Sequence, residues 1–370
     1  MKIVYPHMGT FTLVAEQLVE ELGQESITPN RPTRQTLALG ARYSPEFACI
    51  PFKICLGTYL EGLARGADTI ISGGGYGPCR AGLYGEIHRR ILNDVGYDPN
   101  VIFLWPPLKK PVDFIRKVKL LKGHSSWLDL VRVLRKCWAK LSALDELELA
   151  AQDIRPRELV KGETSRAFNE GTSYLKSARS LPEIAEAKAA AMNRLENIPR
   201  DEGADPLKVG IVGEIYVQLE PFANFYVEET LGHMGATVRR SIYLTSYTKH
   251  DIMSTRGDLR SRKLAAPYLP LRIGGHGQNS VGDVIRYSRL GYDGVVQLAP
   301  FSCIPEIVAK SLMSHLSSWY GIPVLTLFID EQTGHTGVQT RLEAFVDLMK
   351  QNREHRRAQG EPAPKIAAHF

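Results

Sequence analysis

The chain has 370 residues, 44% hydrophobic and 23% charged, with a formal charge of +6. That length exceeds one ordinary core and predicts two domains or two packed halves, while the mild basicity falls far below the clustered footprint of a nucleic-acid binder. No run approaches the roughly 18 apolar residues of a membrane helix, and Met1-Lys2-Ile3-Val4-Tyr5-Pro6-His7 reads as a strand entering a turn, not as a signal peptide. The expectation is a cytoplasmic protein with neither nucleic acid nor membrane among its partners.

In chain order, strand and helix alternate: a strand at 2–5, helices at 13–22 and 51–65, a buried strand at 68–72, a helix at 83–95 and a strand at 101–105. Alternation of this kind predicts βαβ units and a parallel sheet. Pro106, Pro107 and Pro111 interrupt it, and residues 113–197 are helix-rich. The stretch 106–200 carries 19 Lys+Arg against 12 Asp+Glu, a basic bias that fits either a solvated helical face or a phosphate-bearing ligand such as coenzyme A. A second α/β half opens at Lys208-Val-Gly-Ile-Val-Gly-Glu214, with a helix at 221–234, a strand at 238–244, a helix at 281–290, a strand at 294–298, a helix at 305–319, a strand at 323–329 and a last helix at 342–353. Residues 247–269 have no clear pattern.

The fold class is therefore α/β, with two Rossmann-like, parallel-sheet halves and a helical middle. Its expected divisions are an N-terminal α/β domain at 1–112, a helical insertion or bridge at 113–204, a C-terminal α/β domain at 205–355 and a flexible tail at 356–370.

Cysteine placement carries the chemistry. Cys-Ile-Pro occurs twice, at Cys49 and Cys303, and the segment from Gly66-Ala67-Asp68 to Cys79 repeats the approach from Gly291-Tyr292-Asp293 to Cys303. Each segment has a G-x-D, an apolar strand and a Pro-containing loop that ends in a thiol. All three cysteines are placed at strand-to-helix junctions, which gather at the carboxyl edge of a parallel sheet where ligands bind. A helix start also favours a thiolate. Duplication of the halves predicts the thiols facing one another in an interdomain cleft.

Three soft ligands suit an iron-sulfur cluster or zinc. Structural zinc wants four ligands, usually in close C-x(2–4)-C pairs, and no such pair occurs here. With three thiolates, one iron of a cluster keeps no protein ligand, and His7 and His88 are candidate fourth ligands. Cys55 and Cys137 read as core residues. The glycine run 73–77 lacks the spacing and the Lys of a P-loop, so ATP hydrolysis by that route is not expected. Gly274 to Ser280 is a polar turn before a helix, and Asp330, Glu331 and His335 follow a strand. Each reads as a loop or solvated group unless it reaches the same crevice.

The segments Ser44-Pro-Glu-Phe-Ala-Cys49-Ile-Pro-Phe-Lys, Gly77-Pro-Cys79-Arg-Ala-Gly-Leu-Tyr-Gly-Glu, Val212-Gly-Glu-Ile-Tyr-Val, Gly274-Gly-His-Gly-Gln and Pro300-Phe-Ser-Cys303-Ile-Pro-Glu-Ile-Val-Ala resemble the 2-hydroxyglutaryl-CoA dehydratase D-component family. More narrowly they resemble its stand-alone members labelled CoA protein activase or acyl-CoA dehydratase activase-related protein. The resemblance implies two α/β domains and a 4Fe-4S cluster on Cys49, Cys79 and Cys303. It further implies a low-potential electron from a separate ATP-dependent activator, a related second subunit or a homodimer, and removal of water from a 2-hydroxyacyl-CoA through a ketyl radical. The expected function is thus an iron-sulfur lyase or reductase component acting on an acyl-CoA or another small molecule. Its rivals are an accessory electron or cluster carrier and a zinc-bound or metal-free regulatory fold that binds a ligand.

Overall fold

The computed structural model describes residues 1–73, 79–104, 107, 110–253 and 259–359. Two four-stranded sheets, all parallel, organise the chain. The first contains β1 (Lys2–Val4), β2 (Glu25–Ser26), β3 (Thr69–Gly73) and β4 (Asn100–Leu104), in the order β2-β1-β3-β4. In the second, β5 (Leu207–Gly213), β6 (Ala236–Arg240), β7 (Gly294–Pro300) and β8 (Val324–Ile329) run in the order β6-β5-β7-β8. The two orders are the same when each half is numbered from its own first strand. This is the doubly wound α/β arrangement expected, with the switch in strand order between the first and third strands of each half.

The strands form because their apolar residues are covered on both faces, the mark of a parallel sheet. Ile3, Val4, Val209, Val212, Val295, Val296 and Leu298 are fully buried. The chain separates into two compact units, Met1–Asp145 with Leu175–Ala187 and Leu244–Gly257, and Glu146–Tyr174 with Lys188–Tyr243 and Asp258–Phe370. The helical stretch 113–204 is thus shared out between the units, its longest helix, Trp127–Ile154, included.

The repeated G-x-D motif has one structural meaning in both halves. Gly66 and Gly291 take positive φ just past a helix end, a conformation that costs a residue without Cβ little. Two residues on, Asp68 Oδ1 accepts from the backbone N–H of Lys2 at 3.0 Å, and Asp293 Oδ2 accepts from that of Lys208 at 2.8 Å. Each aspartate thereby clamps the start of its unit's first strand to the start of the third.

A second duplicated device is a close helix pair between the second and third strands. In the first unit, helices Arg34–Tyr43 and Ile50–Ala64 touch backbone to backbone: a Cβ on Gly57 would fall 2.0 Å from Thr36 O. In the second, helices Leu259–Ala265 and Gly277–Arg289 do the same, and a Cβ on Gly282 would fall 1.8 Å from Ser261 O.

Some elements differ from the sequence expectation. Of the helix expected at 221–234 only Val227–His233 forms, after a break where Phe225 and Tyr226 take positive φ, and a separate short helix, Ile215–Leu219, precedes it. Asn224 holds that break, donating Nδ2 to Val217 O at 2.8 Å and accepting from Val227 N at 3.3 Å. The last helix is longer than expected, His335–Ala358. Of the expected tail, 360–370 lie outside the described residues, as do 74–77 of the glycine run, Pro78 and Pro106.

Candidate functional site

Cys49, Cys79 and Cys303 share one local conformation. Each is the extended residue immediately ahead of a helix, with φ near −70° in all three (−72°, −70° and −73°). Cys49 precedes Ile50–Ala64, Cys303 precedes Ile304–Tyr320, and Cys79 precedes the short 3₁₀ turn Arg80–Leu83 that leads into helix Tyr84–Asp94. Pro51 and Pro305 sit in the first turns of their helices, where a missing N–H costs nothing. None of the three sulfurs caps its own helix. The expectation of thiols at strand-to-helix junctions matches Cys79 and Cys303, which follow β3 and β7; Cys49 instead joins two helices, Arg34–Tyr43 and Ile50–Ala64, because a helix that the sequence did not reveal intervenes after β2.

Topology ranks the cysteines differently from the tripeptide match. Cys79 and Cys303 both follow the third strand of their sheet, β3 and β7, and are equivalents. Cys49 precedes the second helix of the glycine-packed pair, and the residue at that place in the second unit is His276, the N-cap of Gly277–Arg289. One unit thus offers two thiols at this edge, and the other offers a thiol and an imidazole.

Within the first unit the two cysteine loops are joined. Arg80 Nη1 donates to Phe47 O at 2.7 Å, and the Tyr84 hydroxyl lies against the Cys49 sulfur. Beneath them Phe52 packs edge-on to Tyr84 at 5.0 Å and stacks on His88 at 4.0 Å. His88 donates Nε2–H to Phe52 O at 3.1 Å, and burial depresses its pKa to about 3. It is a neutral histidine of an aromatic core, and its ring contacts account for its position. His7 is buried just after β1.

Within the second unit a carboxyl cluster stands beside Cys303. Glu306, three residues on, is fully buried; its Oε2 accepts from Gln297 Nε2 at 2.9 Å and its Oε1 from Ser280 Oγ at 3.1 Å. Burial pushes this carboxyl up to about 7 against those two bonds, His276 draws it down and Glu214 raises it further. Glu214, at the end of β5, is also raised by burial, although its carboxylate accepts from Val217 N at 3.0 Å. Gly277 lets the two helix starts meet, since a Cβ there would fall 2.3 Å from Pro305 O. The Gly274–Ser280 turn is consequently part of this edge, whereas Asp330 caps its own loop by accepting from Gln332 N and Thr333 Oγ1.

Sequence reasoning passed over Glu306, Glu214 and Tyr84. The available signal was position: Glu214 directly ends a strand, and Glu306 lies in the first turn after Cys303. Cys55 and Cys137 are both buried, and burial raises the Cys137 thiol to about 11.

Within each unit taken by itself, the described residues include no group of three or more His, Cys, Asp or Glu side chains placed to hold a metal ion. Among them, too, no helix is long and apolar enough to cross a membrane. The donor set fits an iron-sulfur group in its chemistry: soft sulfurs with shared backbone geometry, two of them on loops tied together by Arg80. No family model matches the sequence, and no curated protein matches it significantly.

Proposed function

We propose that the chain is a 4Fe-4S protein related to the 2-hydroxyacyl-CoA dehydratases, with Cys49, Cys79 and Cys303 as ligands. In this reading the electron comes from a separate ATP-dependent activator, and the substrate is an acyl-CoA or another small molecule. The observation that supports it most is the common setting of the three cysteines, two of which occupy the same point of a duplicated fold. When bound, such a cluster supplies one-electron chemistry and an iron open to a substrate oxygen.

The chain's own residues prepare the site. A helix start places free N–H groups and the positive end of the dipole beside each sulfur, which favours the thiolate. The Tyr84 hydroxyl against Cys49 offers a hydrogen bond to that charge. Thiolates bring negative charge, and burial raises the pKa of Glu306 and Glu214 near Cys303, which favours the neutral carboxyl there and lessens the charge beside that sulfur.

The test is turnover. Anaerobic protein with a dehydratase activator, ATP, a strong reductant and a 2-hydroxyacyl-CoA should release the enoyl-CoA. Uptake of one electron and its transfer to another protein, without turnover on a panel of acyl-CoA substrates, would make the chain an accessory carrier. Failure to accept an electron would overturn the proposal.

A further inference from the structure

The helix Pro111–Lys122 of the first unit has no buried residue, yet it is apolar on two sides. Phe114, Val118 and Leu121 form a half-buried inner row, while Val112, Ile115 and Leu120 are exposed, Val112 at 71%. The start of the next helix continues the pattern with Trp127, Leu128, Val131 and Leu134, all exposed. Exposed apolar side chains set side by side on a helix face mark an interaction site.

The charges identify what covers it. From 110 to 135, every described ionisable residue that is exposed is a cation or histidine: Lys110, Arg116, Lys119, His124, Arg132 and Arg135. The two acids of the stretch are half-buried and engaged, Asp113 with Lys117 and Asp129 with Arg132, each at 2.7 Å. Among the described residues no carboxylate pairs with Arg116, Lys119 or Arg135.

At about 100° per residue, Arg116 and Lys119 fall about 40° and 20° to either side of Val112, while Leu120 and Ile115 lie farther out at about 80° and 60°. The cations therefore occupy the middle of the exposed arc. A bilayer would have to take them at its deepest point, the reverse of a monotopic helix, whose cations line the opposite, polar face. A second copy docked through the same face would set cation against cation. We propose that this face docks an acidic protein partner, whose Asp or Glu side chains meet Arg116 and Lys119 between flanking apolar contacts. The proposal is independent of what the cysteines bind.

The test places a photo-crosslinking amino acid at Ile115 of the full chain in its native cells, with a control at the exposed Leu290. Crosslinked peptides are identified by mass spectrometry, and that protein is then purified for binding. The expected result is one protein, captured at Ile115 and not at Leu290, through a segment containing Asp or Glu beside apolar residues. Its affinity should fall at least tenfold with Arg116→Glu/Lys119→Glu, checked for fold by circular dichroism, and return when the partner's carboxylates are changed to Lys. Capture of the chain's own copies, capture of lipid, no capture, the same products at both positions, or affinity unchanged by charge reversal would each overturn it. So would binding to phosphatidylcholine–phosphatidylglycerol vesicles that Arg116→Glu/Lys119→Glu abolishes.

Discussion

Arg80 donates its guanidinium Nη1 to the backbone oxygen of Phe47 at 2.7 Å, tying the residue after Cys79 to the loop that ends at Cys49. Both thiols belong to one unit, and this bond holds their loops in register. Such a bond is worth about 1 kcal/mol, so Arg80→Ala should leave the global fold intact and raise local opening roughly fivefold. The measurement is the alkylation rate of each cysteine in the metal-free chain. Cys49 and Cys79 should react several-fold faster than in the wild type, with Cys55 unchanged, and equal rates at all sites would refute the tie.

The glycine contact between Arg34–Tyr43 and Ile50–Ala64 should tolerate no side chain. Alanine is the better helix former by about 1 kcal/mol, yet Gly57→Ala would drive its Cβ to 2.0 Å from Thr36 O, backbone that has no rotamer to yield. Overpacking of this kind costs about 1–3 kcal/mol or more, and it should dominate. Thermal unfolding of Gly57→Ala should show a lower midpoint than wild type; a gain in stability would mean that the helices are not in contact there.

The two G-x-D aspartates perform the same backbone clamp at different burial, which predicts unequal costs. Asp68 is exposed, and Asp68→Ala should lose about 1 kcal/mol, the worth of its bond to Lys2 N. Asp293 is buried and also holds Arg353 and, at 3.1 Å, Arg356. Removing one partner of a buried pair costs about 3–5 kcal/mol, so Asp293→Ala should be much the more damaging in urea unfolding.

Glu306 should make the fold less stable as pH rises. Its folded pKa of about 7 lies above the usual 4.5, so the native state holds the proton more tightly than the unfolded chain does. Its contribution is complete below about pH 4.5 and is lost as pH rises through about 7, and a shift of this size corresponds to roughly 3 kcal/mol. Glu306→Gln keeps the shape without the titration. The urea midpoint of the wild type should fall between pH 5 and pH 8 by more than that of Glu306→Gln, and parallel profiles would contradict the assignment.

Much of the fold was legible because strands such as Val209–Val212 are short apolar runs bounded by polar or glycine residues, a pattern that burial on both faces imposes. Helix Arg34–Tyr43 was not legible. Its buried residues are Thr36, Leu37 and Gly40, since a backbone-to-backbone contact needs small groups and so erases the apolar period. The G-x-D match located the true equivalence of Cys79 and Cys303. Cys-Ile-Pro at Cys49 and Cys303 is a local solution to starting a helix, and it says nothing of topological place. His276 could not be matched to Cys49 from sequence, because the shared feature is a position ahead of a packed helix and not a residue type. Glu306 escaped notice for a similar reason: one Glu in a helical first turn is ordinary until its burial is known.

The most direct test of the account is iron and acid-labile sulfide analysis with an absorption spectrum on anaerobically purified chain, beside Cys49→Ala, Cys79→Ala and Cys303→Ala. The account predicts about four irons and four sulfides per wild-type chain, lost in each of these three variants and retained in Cys55→Ala and Cys137→Ala. A colourless, iron-free wild type after cluster reconstitution would contradict it and leave a duplicated α/β fold whose thiols serve another ligand.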